Sequence, residues 1–463
     1  MELCNEVGLV GLGVMASAYA RNLYFRKVNI SAWSRSSDEI AAFERKLDQE
    51  KPRSSSSEFG SVKCFESLED FVASLASPRK ILILITAGSP VDSMLDKLIP
   101  LLQEGDIVVD GGNEWYLNTK QRIERCKGFG IRFCGMGVSG GEQGARNHPC
   151  LMFGGEMEDY LQLFPIMSQD GKDFYVGTGA SGHYVKMVHN GIEYAILQAI
   201  AEVYKVLKLV NGSENDEIAK LLGDWNRTEF KSYLLDITEM ILQEKDNGDY
   251  IVDKITPSIS SNGTGKWTVQ DSFDRGIPVP SIGMSVDMRS FSNLLDLDVY
   301  KIDSDGQKVD PENLRAAFRA SLVSIFSQGI QLLTEASKEF DWGLEIDKVA
   351  DVWSRNSIIS CELLNAISEK YQRGSTNLLQ VAELLKIVDE NLAPWKKVVT
   401  DCINYNVTLP VITTSLQYVQ VLLSKQHCHN LIQAQRDCFG SHGFNRVDLP
   451  GKHHHDWWRN RKQ

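Results

Sequence analysis

The opening of this chain narrows its fold more than any other stretch. An apolar run, Val7 to Val10, leads at once into Gly11-Leu12-Gly13-Val14-Met15-Ala16, and Ala18, Ala20 and Leu23 then recur at helical spacing. Strand, glycine turn and helix in that order predict a parallel α/β layer. The turn also fits the G-x-G-x-x-A dinucleotide fingerprint. Gly11 permits the tight turn, Gly13 lets a pyrophosphate approach backbone N–H groups, and small Ala16 allows close strand–helix packing.

A second strand is predicted over Val28–Trp33, ending in Ser34-Arg35-Ser36. An NAD site usually carries Asp or Glu here for the ribose 2′-hydroxyl; a guanidinium between two hydroxyls suits a 2′-phosphate, and so NADP. Gln49–Glu58, with four consecutive serines, reads as a loop. Ile81–Ile85 reads as a buried strand ended by Thr86-Ala87-Gly88, and Asp106–Asp110 as another ended by Gly111-Gly112-Asn113. Ile131–Cys134 leads to Gly137-Val-Ser139-Gly140-Gly141-Glu142. Ligands of open parallel sheets sit at such strand ends, so the three point to one crevice. Lys172–Val176 reads as the last strand.

From Ser181 onward the strand pattern disappears and long amphipathic segments take over: Ile192–Leu207, Asp216–Leu222, Glu229–Gln243 and Leu314–Phe340. Trp225-Asn-Arg227 and Trp353-Ser-Arg355 follow similar helical segments, which indicates a duplicated unit whose second copy is structural. The most informative helix lies over Gly182–Tyr194, with Ser181 placed to cap it. Val185, Val188, Ile192, Ile196 and Ala199 form an apolar stripe, and Lys186, His189, Asn190 and Glu193 a polar one. The stripe centres lie roughly 120° apart. A base, an acid, an imidazole and an amide in one line over two turns make a candidate active site. Asn262-Gly-Thr264-Gly-Lys266-Trp267-Thr268 reads as a glycine loop with phosphate-friendly groups.

Composition sets the outer bounds. At 463 residues, two or three domains are expected, and 43% hydrophobic with 24% charged residues is ordinary for a globular protein. A net charge of -12 argues against nucleic acid or an anionic membrane as the main partner. The longest apolar run is strand-sized, so no membrane span is expected. The N-terminus has no signal-peptide pattern, and nine cysteines without a CxxC pair suit reduced thiols in the cytoplasm. His427-Cys428-His429 reads as helix surface, and no metal is expected. The last thirty residues are basic, with Arg436, His442 and Arg446, and look built to reach an anionic site or a partner subunit.

Taken in order, these motifs resemble the 6-phosphogluconate dehydrogenase family over nearly the whole chain. The matching strings are Gly-Leu-Gly-Val-Met, Asp110-Gly-Gly-Asn113, Gly137–Glu142, Val185-Lys-Met-Val-His-Asn-Gly-Ile-Glu-Tyr194, Gly263-Thr-Gly-Lys-Trp-Thr268, Leu431–Asp437 and Phe439-Gly-Ser-His442. The resemblance implies an α/β Rossmann-type domain over 1–179, a large all-α substrate and dimerisation domain over 180–434, and a C-terminal tail over 435–463. It implies oxidative decarboxylation of 6-phospho-D-gluconate by NADP, without a metal, giving ribulose 5-phosphate, CO2 and NADPH in the pentose phosphate pathway. Lys186 would be the base for the substrate 3-hydroxyl and Glu193 the acid that protonates C1 of the enediol. Asn113, Ser139, Gly140, Gly141, His189, Asn190 and Tyr194 would hold the sugar acid. Asn262, Thr264, Arg289, Arg436 and His442 would hold its phosphate end, the last two reaching in from the other subunit of a homodimer. The cofactor would meet Gly11, Leu12, Gly13, Val14, Met15, Ala16, Ser34, Arg35, Ser36, Ile85, Thr86, Ala87 and Asn113.

Four departures stand out. Asn262 replaces a lysine that binds substrate phosphate. Thr86 stands where a lysine near the cofactor is common. Trp353-Ser-Arg-Asn replaces Trp-Arg-Gly-Gly, and Ala16 replaces the last glycine of the fingerprint. Two other readings follow from them: a divergent paralogue acting on another 3-hydroxy acid, or a non-catalytic cofactor-binding dimer.

Overall fold

The computed structural model describes residues 5–51, 59–260, 263–294, 301–372, 374–425 and 427–459. They form two compact units, 1–415 and 416–463.

The first unit opens on an eight-stranded sheet. Its strands are β1 (Val7–Val10), β2 (Ile30–Trp33), β3 (Val62–Phe65), β4 (Lys80–Ile83), β5 (Ile107–Asp110), β6 (Arg132–Ser139), β7 (Cys150–Gly154) and β8 (Tyr175–Gly177). Their spatial order is β3-β2-β1-β4-β5-β6-β7-β8, and every neighbouring pair is parallel except β6–β7. The order reverses direction between β1 and β4, so the crevice for a dinucleotide opens there. Both faces are covered, as the near-continuous apolar strands require. Val7, Leu9, Leu82 and Val109 point into one core with Tyr19, Leu23 and Phe43. Val10, Ile81, Ile83 and Val108 point into the other with Phe71 and Leu95. Each side chain buried in this way contributes about 1.5–3 kcal/mol.

Several boundaries differ from the sequence reading. β2 starts at Ile30, because Val28 N–H donates to Leu23 O in the preceding turn. β8 starts at Tyr175, since Lys172 N–H closes a turn onto Gln169 O. β6 runs on through Gly137 and Ser139, which pair with Met152 and Cys150 of β7 rather than forming a turn. β3 and β7 were not anticipated.

After β8 the chain is helical. A 25-residue helix, Ser181–Lys205, is followed by Asn215–Asn226 and Tyr233–Gln243. Ser181 does not cap the first of these. Ala180 holds that position, and Ser181 is the first helical residue, fully buried. The chain from Thr264 to Thr268 is not a loop, because the helix Thr264–Arg275 begins there. A 30-residue helix, Pro311–Phe340, then repeats the long–short–short order with Ile346–Ser354 and Glu362–Lys370. The two copies meet in a reciprocal pair of hydrogen bonds: Tyr233 N–H to Ser360 O at 3.1 Å and Glu362 N–H to Lys231 O at 2.9 Å. Trp225 and Trp353, at matching places near helix ends, are both buried. Among the described residues no helix is long and apolar enough to cross a membrane.

The second unit is organised around Asp437, on the helix His429–Gly440. Its buried carboxylate accepts from Gly443 N–H, His455 N–H, the Trp457 indole and His454 Nδ1 at 2.7–3.0 Å. Burial alone would raise this acid; the donors hold it well below the ordinary carboxylate range.

Candidate active site

The long helix Ser181–Lys205 carries the candidate chemistry. Its apolar stripe, Val185, Val188, Ile192, Ile196 and Ala199, is buried as expected. The polar stripe is buried too: Lys186 is 6% exposed, His189 0% and Asn190 4%. Only the Glu193 side chain reaches the surface, at 20%. A helix with polar groups on a buried face must place them in a built site.

Burial sets the protonation states. It pushes the Lys186 ammonium below its usual range, with the Glu193 carboxylate pulling the other way. It raises Glu193, opposed by Lys186 and Arg289. Burial and the Lys186 charge drive His189 far down, so its imidazole is neutral. The 3.8 Å approach of His189 Nδ1 to Glu193 Oε2 is therefore a contact and not an ion pair.

A neutral imidazole gives the surrounding hydrogen bonds a direction. His189 Nδ1 lies 3.0 Å from Asn190 Oδ1, an acceptor, so Nδ1 carries the proton. Nε2 then accepts from the Ser139 hydroxyl at 3.1 Å. Ser139 Oγ in turn accepts Ile358 N–H at 3.2 Å, and Asn190 Nδ2 donates to Thr264 Oγ1 at 3.0 Å. The line runs from Ile358 through Ser139, His189 and Asn190 to Thr264.

The Lys186 stem rests on bare backbone. A Cβ at Gly137 of β6 would stand 2.4 Å from Lys186 Cβ. Cys150, opposite Ser139 in β7, is buried next to the lysine; its thiol is pushed up to about 12 by that burial. Gly140 and Gly141 follow Ser139 with φ of 112° and 62°. The second helical copy is more than structural here. Its turn at Asn356, φ 60°, brings Asn356 O to 3.0 Å from where a Gly140 Cβ would lie and presents Ile358 N–H to Ser139.

At the other end of the polar stripe, buried Tyr194 carries the Arg289 guanidinium 3.5 Å above its ring centroid. Arg289 Nη1 donates to Ser260 O at 3.1 Å. Thr264, Tyr194 and Arg289 are thus grouped near Glu193. Asn262 lies outside the described residues. Arg436 and His442 lie exposed in the 416–463 unit.

The strand ends assemble a second region. Gly11, φ 100°, sits where a Cβ would be 2.6 Å from Leu84 O. Gly13 caps the helix Val14–Phe25, and nothing stands within 4 Å of where its Cβ would be. That open cradle at a helix N-terminus fits a pyrophosphate. Leu12 and Ala16 are buried, Met15 is half-buried, and Val14 is exposed beside the cradle. Arg35, Thr86 and Asn113 are exposed at the ends of β2, β4 and β5, with Ile85 and Ala87 half-buried beside Thr86. Ser34 and Ser36 are already engaged: Ser34 Oγ donates to Glu39 Oε2 at 2.6 Å, and Ser36 Oγ accepts Glu39 N–H as a helix cap.

Two networks were missed in the sequence. Buried Arg122 ties the loops after β4 and β5 together, binding Gly88 O, Asp92, Asp110 and Glu114 at 2.6–3.3 Å. Asp271 accepts from Tyr116, Tyr184 and Arg275 beside the start of the long helix. Neither has a local pattern, since each joins residues far apart in the chain.

A doubly wound sheet with a glycine cradle at its switch point, feeding a helix with a buried lysine and carboxylate, defines a Rossmann-type dehydrogenase with a helical substrate domain. Comparison with known proteins specifies it further. Residues 6–179 match the NAD binding domain of 6-phosphogluconate dehydrogenase, and residues 182–457 match its C-terminal domain. An Arabidopsis thaliana decarboxylating 6-phosphogluconate dehydrogenase is 38% identical over 99% of this chain and 98% of its own length. A decarboxylating 6-phosphogluconate dehydrogenase from Lactococcus lactis is 37% identical, over 97% and 98%. The structure of Plasmodium falciparum 6-phosphogluconate dehydrogenase, determined free, with NADP+ and with 6-phosphogluconate, superimposes with a TM-score of 0.89 at 32% identity, covering 98% of this chain and all of that one. This chain belongs to the 6-phosphogluconate dehydrogenase family.

Proposed function

We propose that this chain oxidatively decarboxylates 6-phospho-D-gluconate with NADP, giving D-ribulose 5-phosphate, CO2 and NADPH, and that Lys186 and Glu193 carry its proton transfers. The observation that supports this assignment is the opposed displacement of two groups on one buried helix: the lysine held toward its neutral form and the acid toward its protonated form.

The nicotinamide of NADP, when bound, supplies the hydride acceptor for C3. Neutral Lys186 takes the C3 hydroxyl proton as the hydride leaves. The resulting 3-keto acid loses CO2, and the electron pair of the broken C1–C2 bond passes into an enediol, with the Lys186 ammonium returning a proton to the C3 oxygen. Glu193 then protonates C1 of that enediol, the former C2 of the substrate, while neutral Lys186 takes the proton from the oxygen on the former C3, leaving the ketone of D-ribulose 5-phosphate. Ser139, Gly140, Gly141, His189, Asn190 and Asn113 hold the sugar acid. Tyr194 stands with them, and Asn262, Thr264 and Arg289 hold the phosphate end. Gly11 to Ala16 hold the pyrophosphate; Arg35 and Ser36 hold the 2′-phosphate, with Ser34 lining the cofactor site behind them; and Ile85 to Ala87 with Asn113 line the remainder.

Residues 1–179 serve the cofactor, 180–434 the substrate and the dimer contact, and 435–463 a homodimer in which Arg436 and His442 complete the partner's site. Exposed Phe439, Val447 and Trp458 in the tail, with Leu431 just before it, support a surface that a second subunit covers. We place the protein in the cytoplasm; eight described cysteines, all free thiols, fit a reducing compartment.

The test is NADPH formation at 340 nm with 6-phosphogluconate, run beside NAD and beside gluconate. Saturable NADP reduction with CO2 release is expected. Turnover of gluconate but not its 6-phosphate would overturn the substrate, and an active monomer lacking residues 433–463 would overturn the shared site.

A further inference from the structure

We infer that Glu39 is a cofactor-specificity residue that weakens the discrimination of this chain for NADP over NAD; the inference rests on the NADP reading above. Ser36 and Glu39 stand three apart at the start of the helix Ser37–Glu50, the spacing of a capping box. In that motif the glutamate returns to the backbone N–H of the cap. Here Ser36 N–H instead donates to Ser34 Oγ at 3.2 Å, and the Ser34 hydroxyl passes its own proton on to Glu39 Oε2 at 2.6 Å. The relay draws the Glu39 carboxylate back toward the end of β2, onto a serine that is itself buried.

That strand end is where dinucleotide sites read the ribose. A carboxylate there accepts from a 2′-hydroxyl, whereas an arginine suits a 2′-phosphate. This chain has both. Arg35 is exposed and has no ion-pair partner among the described residues. Glu39 stands four residues on, with Asp38 in the same first turn. A 2′-phosphate is attracted by Arg35 and repelled by Glu39. Ser34 gives its only proton to Glu39, so it has none for a phosphate oxygen. A 2′-hydroxyl meets neither obstacle and gains an acceptor.

The experiment is calorimetric titration of the full-length protein and its Glu39→Gln and Glu39→Lys variants with NADP+ and NAD+, at low and high salt. Glutamine keeps an acceptor for Ser34 and removes only the charge, and the unchanged Tm of that variant checks the fold. NADP+ should bind the glutamine variant about tenfold more tightly, with NAD+ unchanged or weaker. The lysine variant should gain more, and both gains should shrink at high salt. An unaltered ratio of the two affinities, or a parallel change in both, would make Glu39 a helix cap only and overturn the inference while leaving the NADP reading intact. Wild-type protein that binds neither nucleotide would overturn both.

Discussion

The stem of Lys186 lies against the bare backbone of Gly137: a Cβ there would stand 2.4 Å from Lys186 Cβ and 3.0 Å from its Cγ. The β6 strand cannot recede, because Gly137 is paired with Met152 on β7. Any side chain at 137 therefore moves the lysine.

Gly137→Ala should lower kcat by about a hundredfold, the scale expected when a catalytic group is misplaced by 1 Å. NADP+ affinity should stay near wild type, since the glycine cradle lies at the end of β1. Steady-state kinetics with a parallel NADP+ titration read both; an unchanged kcat would mean that the contact does not position the lysine.

The displaced acid and base predict a bell-shaped pH profile. Lys186 must be deprotonated to act, and its shift places the rising limb below the 10.5 of an unperturbed lysine. Glu193 must be protonated, and its shift places the falling limb above 4.5. The two belong to an interacting pair, so the limbs are macroscopic values. Glu193→Gln should flatten the falling limb and keep the rising one; loss of the rising limb instead would reverse the assignment.

Asn356 holds a left-handed turn, φ 60°, which asparagine tolerates better than most residues. Asn356→Gly should preserve activity. Asn356→Val should cost about 1–2 kcal/mol of stability. Through Ile358 N–H and Ser139, it should also raise KM more than it lowers kcat. Melting curves and kinetics of the two variants decide the point, and equal behaviour would remove the turn from the site.

The long helix was legible because its residues recur at three and four, and the sheet because β1, β4 and β5 are short apolar runs closed by glycines. What spacing does not carry is the far side of each contact. Lys186, His189 and Asn190 formed a clear stripe, yet nothing local told a solvated face from a buried one. β3 has Lys63 within a half-exposed edge, and Cys150-Leu-Met-Phe-Gly154 lacks β-branched residues, so neither announced a strand. The second helical copy looked inert because it lacks the polar stripe; its contribution is a backbone N–H at Ile358, which no side-chain pattern reveals. Arg122 and Asp271 were invisible for the same reason of distance, each drawing partners from several elements.

The central claim is that Lys186 is the base, and its most direct test is Lys186→Met in a single turnover. A methionine also removes a buried lysine whose folded-state pKa is depressed, so folded wild type binds fewer protons than the unfolded chain between that lowered pKa and 10.5 and carries the resulting destabilisation at every pH below. The variant should therefore melt higher than wild type at neutral pH, with the difference closing as the pH rises toward 10.5. With folding verified by that melt and NADP+ binding by titration, mixing the variant with 6-phosphogluconate and NADP+ should yield no NADPH burst, against one equivalent per site for wild type. A burst of normal amplitude and near-normal rate would contradict the account.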